Sequence, residues 1–258
     1  MTSICNLSPT IRPAVDKTVR EIALEQPSSI RVFEYFGIDY CCGGRQPLTQ
    51  ACASRNIPVE AVLGALAAVQ AIFQPGPVST AKDWTKAPLS DLAKHIATTH
   101  HVYVQRELPR LAVLAQKVVS RHGDTQPELP MIQELLRSLD AELTPHLAKE
   151  EAILFPYIEQ LERPDAPGTA PQACFASVAS PIAVMCAEHE AAGALLLQIR
   201  HLSRAFTTPP GACPTYLAYY AGLHEFEQDL HQHIHLENNI LFPRAIALEG
   251  SLSEQLAS

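Results

Sequence analysis

His146 and Glu150, and again His233 and Glu237, stand four residues apart, a spacing that a helix turns into neighbours one turn apart on one face. An imidazole and a carboxylate so placed can share one metal ion. Each pair sits inside the same longer phrase. L-x-x-L-x-x-x-L-x-x-H-x-x-x-E-x-x-I-L-F-P runs from Leu136 to Pro156 and recurs, with Phe226 for one leucine, from Leu223 to Pro243. The chain contains an internal duplication, and two such faces make a metal site.

The register of the repeat finds further ligands. About one helix length before each pair lies another histidine, His101 and His189, at closely matching repeat positions. Ala97, Val104, Leu108 and Leu111 surround the first, and Met185, Ala192, Leu196 and Ile199 the second, in steps of three and four that align each histidine with an apolar stripe. The histidines therefore face neighbouring helices. Two helix pairs of this kind close into an antiparallel four-helix bundle with approximate two-fold symmetry and a binuclear centre on its axis.

If Glu150 and Glu237 bridge, each metal has two imidazoles and two carboxylate oxygens, with an oxo or hydroxo bridge as fifth ligand and one position open. Imidazole and carboxylate without thiolate favour iron, although manganese and zinc accept the same donors. The ferritin-like di-iron bundle uses the reverse order, Glu-x-x-His, and more glutamates. Left as unpaired core groups, four imidazoles and two carboxylates would cost several kcal/mol in desolvation, so a metal is favoured over a purely structural role.

A second motif lies near the N-terminus, Asp39-Tyr40-Cys41-Cys42-Gly43-Gly44. The histidine and glutamate pattern resembles the haemerythrin-like di-iron domain. With the vicinal Cys-Cys-Gly-Gly, the chain resembles the iron-sulphur cluster repair family of the RIC, YtfE or ScdA type over residues 16 to 248. The family's metal ligands fall on His101, His146, Glu150, His189, His233 and Glu237, the six that the repeat selects. Oxygen-carrying haemerythrins have five histidines and two carboxylates, so one nitrogen ligand fewer argues against reversible oxygen carriage.

The resemblance implies repair of iron-sulphur clusters damaged by nitric oxide or oxidative stress, through donation of labile iron to damaged or apo iron-sulphur proteins. Two other activities would use the same open positions: reduction of nitric oxide to nitrous oxide, and binding of nitric oxide or oxygen without turnover. Cys41 and Cys42 are candidates for iron or sulphur transfer, since N–H groups exposed by Gly43-Gly44 would lower a thiol pKa. A packed structural turn is the alternative.

The elements that must position these groups are helical, and the expected fold is all-α. A small N-terminal domain spans residues 16–74, with a helix capped by Asp16 or Thr18 running to Glu25. A second helix starts at Pro27-Ser28-Ser29 and reaches Tyr35, and a third runs from Val59 to Phe73. A Pro-rich linker follows over 75–89, with Trp84 docked on one domain. The bundle fills 90–248. Ser90 caps its first helix, and Pro127 or Pro130 opens the second, which runs through Pro145 to Leu161. Arg163 to Ser180 forms a loop, Pro181 begins the third helix, and Pro209-Pro210-Gly211 precedes the fourth.

Glu142, one turn before His146, and Glu188, beside His189, are candidates to fix imidazole tautomers or relay protons. Asp229 occupies the repeat position of Glu142. Helical geometry places His231 and His235 on the solvent side. His95, His100, His122, His201 and His224 are expected at the surface or behind the ligands. Cys52 is a candidate third thiol, and Cys5, Cys174, Cys186 and Cys213 look incidental.

The 258 residues carry a formal charge of −8 without a dense basic cluster, which argues against nucleic acid or an anionic membrane as partner. Met1 to Lys17 lacks a secretory apolar core, and the longest apolar run, Ala61 to Phe73, is too short to span a bilayer. Seven cysteines without a paired framework suit free thiols in a reducing cytoplasm. A homodimer is compatible with this composition.

Overall fold

The computed structural model describes residues 14–72, 82–163 and 174–257. Cys5, the Met1–Lys17 reading up to residue 13, the start of the linker and most of the Arg163–Ser180 loop lie outside them. The described residues form helices and no strand, in two compact units divided between Ala81 and Lys82.

In the first unit, α1 (Val19–Glu25) starts at a reciprocal cap. The Glu21 N–H donates to Thr18 Oγ1 at 3.1 Å, and the Thr18 N–H donates to the Glu21 carboxylate at 2.8 Å. A short 3-10 turn, Pro27–Ser29, leads into α2 (Ile30–Phe36), which ends at Gly37 in the left-handed conformation. A six-residue helix absent from the sequence expectation, α3 (Leu48–Ala53), follows the Cys-Cys-Gly-Gly turn, and α4 (Val59–Ile72) completes the unit. One turn of helix is too short for periodicity to reveal. Val19, Ile22, Val32, Phe33, Leu48, Ala51 and Val62 form the core.

The second unit consists of four helical rods. The first comprises α5 (Leu89–Ile96), a π segment (Ala97–His101) and α6 (Val102–His122). The second comprises α7 (Glu128–Lys149), a π segment (Glu150–Leu154) and α8 (Phe155–Glu162). The third is α9 (Ala179–Leu202) alone. The fourth comprises α10 (Pro214–Leu236), a π segment (Glu237–Leu241) and α11 (Phe242–Ala257). α6 packs on α7 and α10, α7 on α9, and α9 on α10, closing the ring of a four-helix bundle. Leu111, Leu129, Ile132, Leu139, Leu196 and Leu230 fill its interior, each contributing roughly 1.5–3 kcal/mol on burial. Gly222 permits the close approach of α10 to α6, because a Cβ there would stand 2.8 Å from Leu111 Cδ2.

Three expectations change. The α5 N-terminus is capped by Glu162, whose carboxylate accepts from the Leu89 N–H at 2.7 Å, the Ser90 N–H at 3.0 Å and the Ser90 hydroxyl at 2.6 Å. Ser90 is thus capped rather than capping, because a carboxylate from the end of α8 satisfies more of the orphan donors than one hydroxyl can. Glu249, one repeat length later, does the same for α9. It accepts from the Val178 N–H at 2.9 Å, the Ser177 hydroxyl at 2.6 Å and the Tyr157 hydroxyl at 2.7 Å.

Secondly, α9 begins two residues before Pro181, in which position the ring falls within the first turn and removes no needed donor. Thirdly, α9 is long and apolar enough to cross a bilayer, with mean hydropathy 1.3 over its most apolar window. Glu188, His189 and Glu190 interrupt that stretch. Ile182, Met185, Ala192, Leu196 and Ile199 of α9 are buried with His189 among them, so this stripe serves the bundle.

Trp84 docks on the bundle unit. Its ring stacks on His95 with centroids 4.5 Å apart, and its carbonyl accepts from Arg244 at 2.9 Å.

Burial works against the Glu162 carboxylate, but its bonds to Ser90 and Leu89 hold its pKa below the usual carboxylate value. Glu162→Ala is expected to lower unfolding free energy by about 1 kcal/mol in urea titration at pH 7. Because the carboxylate is depressed in the folded state, its contribution is present above the ordinary carboxylate range. The deficit of the variant should shrink as pH falls through the folded value.

Candidate metal centre

Each rod of the bundle places a histidine at the same level, and the three π segments fall at the ligand positions. Ala97–His101 ends on His101, Glu150–Leu154 begins on Glu150, and Glu237–Leu241 begins on Glu237. A π turn widens the helix by one residue and re-aims the side chains at its ends, and such turns concentrate at functional sites. Ile-Leu closes the second and third segments and Phe-Pro opens the α-helix after each, in equivalent register, so the repeat in sequence is also a repeat of backbone irregularity.

The six expected side chains converge. His101, Glu150, His233 and Glu237 offer ligand atoms within 4.8 Å of one another, and so do His146, Glu150, His189 and Glu237. The quartets share both carboxylates and divide the histidines into two pairs. Glu150 Oε2 lies 3.4 Å from His101 Nε2 and 3.5 Å from His146 Nε2. Glu237 Oε1 lies 3.0 Å from His233 Nε2, and its Oε2 lies 3.2 Å from His189 Nε2. The His146 and His189 Nε2 atoms stand 3.0 Å apart. Two nitrogens about 2.1 Å from one ion, at roughly a right angle, have that separation.

The donor set fits a cation. Both carboxylates are 0% exposed, and neither Glu150 oxygen, nor Glu237 Oε2, nor His101 Nε2 has a hydrogen bond. Buried charge left in this state is costly, and metal coordination is one of the few arrangements that satisfies all of these atoms at once. Burial opposes protonation of His101, but Glu150 and Glu237 outweigh it and raise its pKa to about 10. The same contest, with Glu237 the main partner, raises His189 to about 9. For His233 burial wins and the pKa falls. Burial would raise Glu237, yet the surrounding imidazoles hold it well below the usual carboxylate value. Without metal, protons on His101 and His189 balance the two carboxylates.

Behind the imidazoles lies a further set of partners. His101 Nδ1 bonds Glu151 at 2.8 Å, His146 Nδ1 bonds Glu188 at 2.7 Å, and His189 Nδ1 bonds Asn238 at 2.9 Å. Lys149 in turn holds Glu188. Glu188 thus stands behind the His146 ring, not that of its neighbour His189, whereas Glu142 is exposed. One turn before His146, it is offset by about 40° to the outer side of the apolar stripe, which turns it toward solvent. Glu151 and Asn238 were not anticipated. Their signal is the residue directly after each repeat glutamate.

His100 is buried and bonds Asp229 at 3.0 Å. His235, expected on the solvent side, is 3% exposed and accepts from Asn239 Nδ2 at 2.9 Å. The end of α10 is covered on several sides, since the 97–101 segment also packs on it, so one helix face no longer means solvent. His231 is half-buried, and His201 and His224 are exposed. Cys186, read as incidental, donates to Asn238 Oδ1 at 3.4 Å, behind His189.

In the N-terminal unit the cysteine turn is built around Asp39. Its carboxylate accepts the N–H groups of Cys41, Cys42 and Gly43, each at 2.9 Å. Gly44 is required because a Cβ would meet the Tyr40 carbonyl oxygen at 2.7 Å. The Cys41 and Cys42 sulphurs stand 3.9 Å apart. The expectation that backbone N–H groups lower a thiol pKa is corrected for Cys41. Asp39 takes those donors, and its bond to Cys42, burial and the nearby charges push the Cys41 thiol well up. Cys52 is buried on α3, where burial and the Glu60 charge raise its thiol too.

Comparison with known proteins gives the same two parts. Residues 92–245 match the family described as Hemerythrin HHE cation binding domain. Residues 15–70 match ScdA_N, described as a domain of unknown function (DUF542). The chain is 41% identical over 235 residues to the iron-sulfur cluster repair protein YtfE of Citrobacter koseri, covering 91% of this chain and 98% of that protein. The proteins of that name from Salmonella typhimurium and Salmonella paratyphi B are 40% identical over the same shares.

Because His101 and His189 hold protons well above neutral pH, metal uptake must displace them. Loading the metal-free chain at pH 7 in weak buffer is expected to release close to two protons per chain. Affinity should climb with pH until it levels near the raised values, as followed by calorimetry in buffers of different ionisation enthalpy.

Proposed function

The chain belongs to the iron-sulfur cluster repair family built on a haemerythrin HHE domain, and from that premise we propose that it repairs damaged clusters by holding two irons and giving iron up. The observation that carries this reading is the pair of buried carboxylates shared by two imidazole pairs. His101 and His233 would hold one ion and His146 and His189 the other, with Glu150 and Glu237 reaching both. Nitrogen and oxygen donors without thiolate favour iron.

The ligand chemistry also suits delivery. Neutral imidazoles and shared carboxylates can release a ferrous ion without the breaking of a thiolate cage, and the protons of His101 and His189 restore charge balance as metal leaves. When bound, the ion pair supplies Lewis-acid and one-electron chemistry, for which nitric oxide and oxygen are the fitting small ligands. Glu188, a third exposed, connects solvent to His146 and is the candidate for proton movement there. Glu151 serves His101 in the same way.

Damaged or apo iron-sulphur proteins are the acceptors that this activity requires. Cys42, half-buried at the turn, is the thiol that departing iron or sulphur can meet, and Cys41 stands protonated beside it. Two adjacent thiols joined by a hydrogen bond at 3.9 Å and by no disulfide fit the reducing cytoplasm.

Purified anaerobically, the chain is expected to carry two irons, and His233→Ala to lose at least one, by elemental analysis and visible absorption. Reactivation of an apo iron-sulphur acceptor should keep pace with loss of iron from this chain. Cys41→Ser/Cys42→Ser should keep the iron but slow delivery. No iron, or equal iron in His233→Ala, would overturn the ligand assignment. Catalytic nitrous oxide formation with all iron retained would favour nitric oxide reduction over donation.

A further inference from the structure

The duplication pairs the four converging histidines, His101 with His189 and His146 with His233, and pairs the positions behind them as well. Glu151 behind His101 and Asn238 behind His189 are counterparts, and both accept from Nδ1. The two copies agree at this pair. Behind His146 stands Glu188, which precedes His189 in the chain; the residue that precedes His101 is His100. There the copies part. His100 stacks on His233 with ring centroids 5.6 Å apart and planes 10° from parallel, and turns its own Nδ1 to Asp229. His233 Nδ1 is consequently buried without a hydrogen bond, as are His100 Nε2 and Asp229 Oδ2.

We propose that the two halves of the centre hold metal unequally, so that the ion on His101 and His233 exchanges while the ion on His146 and His189 stays, with His100 as the positioning residue responsible. This rests on the ligand assignment given under the proposed function. A metal-bound imidazole presents its second nitrogen as an N–H donor. An acceptor behind it fixes tautomer and orientation and raises basicity, and loss of that acceptor weakens metal binding by about 10–100-fold. His146 and His189 both have such an acceptor. In the other pair only His101 does, and the orientation of His233 is left to ring stacking.

The backbone departs from symmetry on the same side. The π segment that ends on His101 has no counterpart before His189, where α9 is α-helical throughout. Unequal halves also suit a donor, because one ion can leave while the other continues to neutralise Glu150 and Glu237.

The test mixes the fully ferrous chain with excess ferrous chelator under anaerobic conditions and follows release by absorbance. Two phases of equal amplitude are expected, with rates about 10–100-fold apart. His100→Glu gives this position the residue its counterpart has, and should slow the fast phase toward the slow one. His100→Gln supplies a neutral acceptor if the added charge disturbs folding, with helical content checked by circular dichroism. Glu188→Ala should speed the slow phase and leave the fast one unchanged. Two irons leaving in a single phase would overturn the inference. So would a fast phase that neither folded His100 variant slows, or an effect of Glu188→Ala on the fast phase alone. A chain that binds no iron would overturn the ligand assignment and this inference together; two irons that leave alike overturn this inference alone.

Discussion

Two carboxylates with no access to water sit at the middle of a four-helix bundle, and the rest of the second unit is arranged to make that tolerable. Glu150 and Glu237 could not remain ionised in an apolar core by themselves, since the desolvation penalty for each is several kcal/mol. Four imidazoles surround them, and most of those rings are held from behind by a carboxylate or an amide. The bundle needs charge compensation whether or not metal is bound. Protonated His101 and His189 can supply it in one state and cations in the other. A cation entering there would exchange one kind of positive charge for another.

The convergence of the six side chains was legible because metal chemistry restricts residue type, helical geometry restricts spacing, and duplication states both restrictions twice. A single His-x-x-x-Glu would have been weak. His235 was misjudged for a physical reason: amphipathic reasoning assigns one face to the core and the other to water, whereas the end of α10 is enclosed from several sides. Glu151 and Asn238 escaped notice because they act through a neighbouring helix, and the pairing of helices is tertiary information. Glu142 misled for the complementary reason, since a turn of separation along a helix is not the same azimuth around it. The π segments had no signature in composition, although Ile-Leu-Phe-Pro marks two of them in retrospect.

The N-terminal unit gives a different lesson about the reach of sequence reasoning. Gly43 and Gly44 do make room for a tight turn, and backbone N–H groups do converge there. Their common target is the Asp39 carboxylate, so the dipoles that would have stabilised a thiolate are already engaged. One acidic side chain two residues upstream reverses the electrostatic sign of the turn at Cys41. A motif written only as its cysteines and glycines leaves out the group that governs its chemistry.

The paired caps at the helix starts have a consequence for how the two copies cohere. Glu162 ties the end of the second rod to the start of the first, and Glu249, midway along α11, ties the fourth to the start of the third. Each copy is thus latched within itself, end to beginning, by its own carboxylate. Copy is fastened to copy by the seams along α7 with α9 and α6 with α10 and by the bond from the Tyr157 hydroxyl of the first copy to Glu249 of the second. Each quartet of potential ligands draws two side chains from either copy, His101 and Glu150 with His233 and Glu237, and His146 and Glu150 with His189 and Glu237, so a cation held by either would act as a rivet between the two hairpins.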